Sequence, residues 1–357
     1  MSKIHALSHT EPLNQSVNFQ KKVFIAGIGA VGSTLVKLLS ANAYVKIIGA
    51  CNSKHVKWFN SSETPYPIYS LQDNPGKNWT SIINKLKTYD KRSIIFVDAT
   101  GDSEVANLYK ELLSSGIHVV TASKLANTQS QKLYDELHEL SDKNHTRFLY
   151  ETNVGAGLPI IDTLNNLILS DDDVIELNGV LSGTMTYLFS QLDKGESFSK
   201  SVIQARTLGY AEPDPRDDLS GEDVARKFLI LARRCGLKIE RDEIDVESLI
   251  PNQLADVDST TFLKRLHEAD DYWKSRFEHE HSKGNTIRYT GKLKDGKIKV
   301  GTQSVPKQSP AGGLTGTNNL IIIRTRRYND QPLIIQGPGA GREVTAAGVL
   351  SDILKIH

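Results

Sequence analysis

Apolar and polar positions follow two rhythms along this chain, and each change of rhythm marks an element. Val23, Phe24, Ile25 and Ala26 form a short apolar run, Gly27-x-Gly29-x-x-Gly32 interrupts it, and Leu35, Val36, Leu38 and Leu39 follow at helical spacing. That order predicts a buried strand, a tight turn and a helix. "YVKIIGACNSK", "RSIIFVDATGD" and "IHVVTASK" read as further strands, and "DSEVANLYKELLSSG" as an amphipathic helix stopped by Gly116. Strands alternating with helices predict a Rossmann-type, doubly wound parallel sheet of the α/β class, with ligands beyond the carboxyl ends of its strands.

From residue 151 the pattern changes. "ETNVGAGLPIIDTLNNLILS" is a glycine loop leading into a helix with Pro159 near its first turn, where a missing N–H costs nothing. "VIELNGVLSGTMTYLFSQLDKG" predicts a strand, a Ser-Gly-Thr break and a helix closed by Gly195. Apolar residues alternate on both sides of Asp295-Gly296, a hairpin signal, and "NNLIIIRTRRY" and "QPLIIQG" add two strands. The chain closes on a helix, "AGREVTAAGVLSDILKI", able to return to the first half. The expected organisation is a polar, disordered tail over 1–20, a dinucleotide-binding domain over 21–150 completed by 340–357, and an α+β domain over 151–339.

With 357 residues the chain exceeds the size at which single cores stop growing. Lys and Arg number 43 against 42 Asp and Glu, a net charge of +1, so no global field recruits nucleic acid or an anionic membrane, and small molecules are the expected partners. There is no uncharged apolar run of the ~18 residues that suggests a membrane span, and the N-terminal stretch lacks a signal-peptide core. Two cysteines, Cys51 and Cys235, build neither a disulfide framework nor a metal-ligand spacing, and read as buried thiols of a cytoplasmic protein.

The glycine pattern has a physical meaning in a nucleotide site. Gly27 permits the tight turn, Gly29 lets the backbone approach a pyrophosphate, Gly32 allows close helix packing, and the N–H groups around Ile28, Ala30 and Val31 face the anion. By pattern alone a glycine turn without a ligand fits equally well. At the end of the second strand Asn52, Ser53 and Lys54 offer a lysine where a carboxylate would hold the 2′-hydroxyl of NAD, which favours NADP(H) and leaves NAD(H) possible.

The densest polar constellation is "LGYAEPDPRDDLSGEDVARKFLILARRCG". Two prolines predict a rigid acidic loop carrying Glu212, Asp214, Asp217 and Asp218, followed by a helix with Val224, Phe228, Leu231 and Ala232 on its apolar face. Asp223 and Lys227 stand four apart and can pair, and a lysine beside carboxylates is a plausible proton donor. By pattern alone an acidic helix start with an ordinary surface ion pair is the better account.

"VFIAGIGAVGSTL", "ETNVGAGLPIIDTL", "LSGTMTYLF", "LGYAEPDPRDDLSGEDVARK" and "GPGAGREVTAAGVLSDI" occur in the order and at the spacings of homoserine dehydrogenases, a resemblance spanning roughly residues 21 to 355. The chain resembles the short catalytic module, with neither the aspartokinase domain of bifunctional relatives nor a C-terminal regulatory extension. The resemblance implies reversible NAD(P)H-dependent reduction of L-aspartate 4-semialdehyde to L-homoserine, on the route to threonine, methionine and isoleucine, by a homodimer formed through the second domain.

The resemblance also implies roles. Lys227 is the proton donor in reduction and base in oxidation, Asp223 positions it, and Lys124 stands near the reacting oxygen and nicotinamide. Glu212 binds the substrate ammonium, Asp218 helps fix the amino-acid end, and Thr184 lies near both substrate and nicotinamide. Thr100 and Gly341 complete the cofactor cleft. The Glu151 region with the carbonyls of Val154, Ala156 and Leu158 implies a site for a monovalent cation, Na+ or K+. His279 and His281 are read as a solvated helix face. One departure is Ala122-Ser123, where many relatives carry Pro-Asn, which alters the nicotinamide contacts. Two rivals are a semialdehyde dehydrogenase, which needs a cysteine nucleophile, and a nucleotide sensor without turnover.

Overall fold

A computed structural model describes residues 20–60, 63, 65, 66, 71 and 74–356. Apart from Gln20, the tail assigned to 1–20 lies outside the described residues. The first sheet holds β1 (Lys21–Ala26), β2 (Val45–Cys51), β3 (Val56–Trp58), β4 (Ile94–Asp98), β5 (His118–Thr121) and β6 (Phe148–Leu149), in the order β3-β2-β1-β4-β5-β6. β1 pairs in parallel with both β2 and β4, and β5 with both β4 and β6. β3 departs from the all-parallel expectation and pairs antiparallel with β2. The link between them, Asn52 to His55, is too short for a crossover helix and closes as a hairpin instead.

β1 leads through the glycine turn into helix α1 (Ala30–Ser40), which buries Leu35, Val36 and Leu39. Gly27 has φ +91°, a conformation that disfavours any side chain. A Cβ on Gly32 would lie 1.9 Å from the Gly27 carbonyl oxygen, so the helix meets the turn only because residue 32 has none. Nothing lies within 4 Å of a Cβ built on Gly29, which leaves that side of the turn open for a ligand. Gly32→Ala is therefore expected to push the turn open, lowering stability by roughly 1–3 kcal/mol and abolishing nucleotide binding. A thermal melt and an NADPH titration check this, and unchanged binding would contradict it.

The second sheet contains β7 (Val174–Val180), β8 (Asp245–Val246), β9 (Asn285–Lys294), β10 (Lys297–Pro306), β11 (Asn318–Thr325) and β12 (Leu333–Pro338), ordered β12-β11-β7-β9-β10-β8. β9 and β10 form the predicted hairpin, and Asp295 and Gly296 take φ +51° and +73°, the turn that matches strand twist. Helices α2 (Ile160–Leu169), α3 (Gly183–Asp193) and α4 (Glu222–Arg234) contribute Leu164, Phe189 and Phe228 to the same core as Leu177, Tyr289 and Ile321 of this sheet. The last helix, α5 (Arg342–Leu354), returns to the first sheet, where Ala346, Val349 and Ile353 are buried with Ile25, Leu35 and Val36.

Three local readings change. Arg216–Leu219 is a helical turn inside the supposed non-helical acidic loop, because Pro215 stands at its start, where no N–H is needed. His281 is half-buried, with Nε2 2.7 Å from Asp193 Oδ1, while His279 is exposed. His281 falls one turn beyond buried Phe277 on helix Asp270–His281, so it shares the inward face. Cys51 is buried, but Cys235 is only partly so.

Candidate active site

A cleft of about 910 Å³ is lined by residues of both halves, among them Lys124, Thr184, Glu212, Asp218, Asp223 and Lys227. Lys124 follows the end of β5. Thr184 is in the first turn of α3, which Ser182 caps by accepting the Met185 N–H at 3.2 Å. Asp223 and Lys227 lie on α4, whose apolar residues Val224, Phe228 and Leu231 are at most 1% exposed. That packing fixes the helix rotation and brings Lys227, itself 8% exposed, under the cleft floor.

Lys227 Nζ donates to the Leu181 carbonyl at 2.7 Å and lies 2.7 Å from Asp223 Oδ2. Lys124 Nζ lies 3.3 Å from the other oxygen, Asp223 Oδ1. One carboxylate thus bridges two ammonium groups from separate halves of the chain. Burial opposes ionisation of Asp223, but the two lysines outweigh it and hold the carboxyl far below the usual range. Burial pushes the Lys227 ammonium down from its ordinary value of 10.5, with Asp223 opposing. The spacing of Asp223 and Lys227 foretold their pair; nothing local foretold Lys124 as the third member.

Elsewhere in the cleft lining, Asp218 Oδ2 accepts the Glu212 N–H at 2.8 Å, and the Thr184 hydroxyl donates to the Tyr210 carbonyl at 2.6 Å. Burial raises the Asp218 carboxyl despite the bond from Glu212. Glu212 is exposed, and its carboxylate has no ion pair with another described residue. Arg226 also lines the cleft, a cation that sequence reading passed over although it adjoins Lys227.

Of the cofactor-side residues, Gly341 lines the cleft and caps α5 with φ +128°. Gly27, Ile28, Gly29, Ala30, Val31 and Gly32 form the turn and first helical residues beside β1, outside the cleft lining. No acidic side chain and no side-chain cap occupies the α1 N-terminus, so its N–H groups can receive an anion. Thr100 follows β4 and packs against Gly27, whose built Cβ would lie 2.8 Å from the Thr100 methyl. Asn52, Ser53 and Lys54 make the β2–β3 turn, with Asn52 Oδ1 accepting the N–H groups of Lys54 and His55 at 2.8 and 2.7 Å. Lys54 is exposed and carries its charge at the edge of the sheet.

The loop 151–158 packs beneath α5. The Glu151 carboxylate accepts the N–H groups of Ile161 and Asp162 at 2.7 and 2.8 Å, capping α2, and burial with the Asp162 charge pushes it up to about 7. Glu151, Asp162 and Asp352 offer oxygens within 4.8 Å of one another, and Lys355 joins them, with Nζ 3.0 Å from Asp352 Oδ1 and in contact with Asp162. A lysine therefore pairs with two of the three carboxyl groups and offsets part of their charge. The carbonyl side is different: the oxygens of Glu151 and Leu158 accept bonds from Val154 and Ile160, whereas those of buried Val154 and Ala156 accept none among the described residues. Unpaired buried carbonyls are the donor set a hard monovalent cation takes.

The family model described as homoserine dehydrogenase matches residues 159–354, and the one described as its NAD binding domain matches 27–151. The chain belongs to the homoserine dehydrogenase family. It is 35% identical over 372 aligned residues to a bifunctional aspartokinase/homoserine dehydrogenase of Haemophilus influenzae, covering 98% of this chain and 45% of that protein. The chain thus spans about half the length of this curated relative. A crystal structure of a protein of unknown function from Candida auris matches with TM-score 0.87 and 33% identity over 94% of this chain and 98% of that one. A hyperthermophilic archaeal homoserine dehydrogenase in complex with NADPH shares the fold, with TM-score 0.71 and 24% identity over 94% of this chain and 97% of its own. Within the family frame, the two matched segments meet at the loop 151–158. No helix among the described residues is long and apolar enough to cross a membrane.

Proposed function

We propose that this protein catalyses the reversible NAD(P)H-dependent reduction of L-aspartate 4-semialdehyde to L-homoserine. The observation that carries the reading is the buried Lys227 ammonium, held by Asp223 together with Lys124 in a cleft that is also lined by Glu212, whose carboxylate has no ion pair among the described residues. A nicotinamide cofactor, when bound, supplies the hydride to the aldehyde carbon. Lys227 then protonates the developing alkoxide and takes the proton back in oxidation, while Asp223 keeps it charged and aimed. Lys124 adds positive charge beside the same oxygen. Glu212 receives the substrate ammonium, with its backbone held by Asp218, and Thr184 sets the neighbouring wall. Such charged contacts discriminate an amino-acid aldehyde from a plain one.

The Gly27–Gly32 turn and the α1 N-terminus hold the pyrophosphate, and Thr100, Lys124 and Gly341 hold the nicotinamide half. An NADPH complex within the same fold supports this class of cofactor. Lys54, with Asn52 and Ser53, receives the 2′-phosphate, so NADP(H) is preferred over NAD(H). Lys54→Ala is expected to raise KM for NADP about tenfold and leave KM for NAD unchanged; steady-state kinetics with each cofactor check it, and equal changes would remove the residue from that role. Val154 and Ala156, with Leu158 and the main chain of Glu151, hold Na+ or K+.

The domain division is 21–150 with 340–357 against 151–339, and the second domain forms a homodimer, supported by β12, an edge strand without a buried residue. Free thiols support a reducing, cytoplasmic location. The same thiols disfavour a semialdehyde dehydrogenase: burial pushes both Cys51 and Cys235 up to about 12, and neither lines the cleft. The test is oxidation of L-homoserine by purified protein with NADP or NAD, with and without K+ or Na+. Turnover favouring NADP supports the proposal; nucleotide binding without turnover moves the protein to the sensor class.

A further inference from the structure

Asp98, the last residue of β4, is fully buried and does not line the cleft. Its Oδ1 accepts both the Thr100 N–H at 2.7 Å and the Thr100 hydroxyl at 2.6 Å. Its Oδ2 accepts the hydroxyl of Tyr109, on helix Tyr109–Ser114, at 2.5 Å. Tyr109, also fully buried, is hydrogen-bonded at 2.8 Å to Oγ1 of Thr121, the last residue of β5. That Oγ1 in turn accepts the Ser123 N–H at 2.9 Å, one residue before Lys124, and the Thr121 carbonyl accepts Asn153 Nδ2 at 3.1 Å from the glycine loop.

One carboxylate and one phenol thus tie together the ends of two strands and the segments that leave them. The 99–100 segment abuts the dinucleotide turn: the Ala99 N–H bonds the Ala26 carbonyl at 2.8 Å, and a Cβ built on Gly27 would lie 2.8 Å from the Ala99 carbonyl oxygen. A carboxylate at this depth is costly, since burial raises the Asp98 carboxyl, and apolar residues of similar volume would support the core more cheaply. What an apolar core cannot do is fix two polar loop segments in register with each other, because only directed hydrogen bonds specify their backbone angles.

We propose that Asp98, acting with Tyr109 and Thr121, is a positioning residue that presets segments 99–101 and 122–124 as the rigid edge met by the nicotinamide half of the cofactor. This rests on the cofactor reading given above. Asp98 touches neither substrate nor cofactor and acts through Thr100 and Ser123. Pre-arranged segments spare the ordering cost at binding, so their loosening appears in cofactor affinity.

The test is NADPH titration by fluorescence with wild type, Asp98→Asn, Tyr109→Phe and the double variant, alongside thermal melts and steady-state kinetics. Asn can no longer accept at both oxygens, and Phe keeps the ring while removing the hydroxyl. Each single variant is expected to raise the NADPH Kd about tenfold. The double variant should exceed the weaker-binding single by less than about threefold, since both act through one network. KM for L-homoserine should stay within about twofold at saturating cofactor. If Tm falls while Kd and cofactor KM stay unchanged, Asp98 is core support only and the proposal is overturned. Should Asp98→Asn fail to fold, Tyr109→Phe carries the same comparison. The Kd readout is independent of turnover, so a wild type that binds NADPH but leaves L-homoserine untouched would sink the proposed activity while this inference is still read from the binding constants.

Discussion

Lys227→Met should lower kcat by roughly 10²–10⁴-fold while NADPH still binds with wild-type affinity. Met nearly matches the side chain in length and packs in the same buried channel beside Leu181, so α4 keeps its seat and only the proton donor is lost. A pH profile of the wild type sharpens the expectation. Burial sets the Lys227 pKa below its ordinary value of 10.5, so the protonated form needed for reduction is lost as pH rises through that depressed value. Reduction should fall on the alkaline side and homoserine oxidation should rise over the same interval, since the free amine is then the base. Single-turnover rates and an NADPH titration measure both effects. A Lys227→Met enzyme that retains full turnover, or a wild type whose two directions respond alike to alkaline pH, would remove Lys227 from the reaction.

Asp223→Asn should be the more disruptive change in structure. The carboxylate bridges Lys227 at 2.7 Å and Lys124 at 3.3 Å, and an amide can neutralise neither. Lys227 would remain buried without its counter-charge. Breaking a fully buried pair costs more, but the Asp223 side chain is 47% exposed, so the loss is about 1–3 kcal/mol. Lys227 limits that cost by releasing its proton more readily, which in turn removes the acid needed for reduction. Misplacement of the two lysines by about 1 Å is expected to take roughly 10²-fold from kcat, with KM for the cofactor changed far less. Melting curves with kinetics at several pH values check this. Equal stability together with an unchanged alkaline limb would show that Asp223 neither holds nor tunes Lys227.

The elements that the sequence announced are those encoded by local rules. Gly27 and Gly32 stand where a strand must turn into a helix without room for side chains, and Asp295-Gly296 supplies the two positive φ angles of a tight hairpin. The four-residue spacing of Asp223 and Lys227 likewise put both on one helical face. Long-range features carry no such periodicity. Lys124 meets Asp223 only because segments far apart in the chain line one cleft, and Lys355 reaches Asp162 and Asp352 only because α5 returns to the first sheet. The buried bond of Asp98 with Tyr109, and the half-buried one of Asp193 with His281, join residues whose sequence surroundings look like ordinary strand ends and helix faces. The antiparallel turn of β3 was hidden for another reason: a three-residue strand has too little apolar pattern to announce its direction.

The most direct test of the account follows one hydrogen and one product. Purified protein is given L-aspartate 4-semialdehyde and NADPH deuterated at the transferable position of the nicotinamide, and the product is isolated and examined by mass spectrometry and NMR. The account predicts L-homoserine carrying a single deuterium on the carbon that bore the aldehyde, formed in step with loss of reduced cofactor. Loss of reduced cofactor without L-homoserine, or L-homoserine without deuterium at that carbon, would contradict hydride delivery in this cleft.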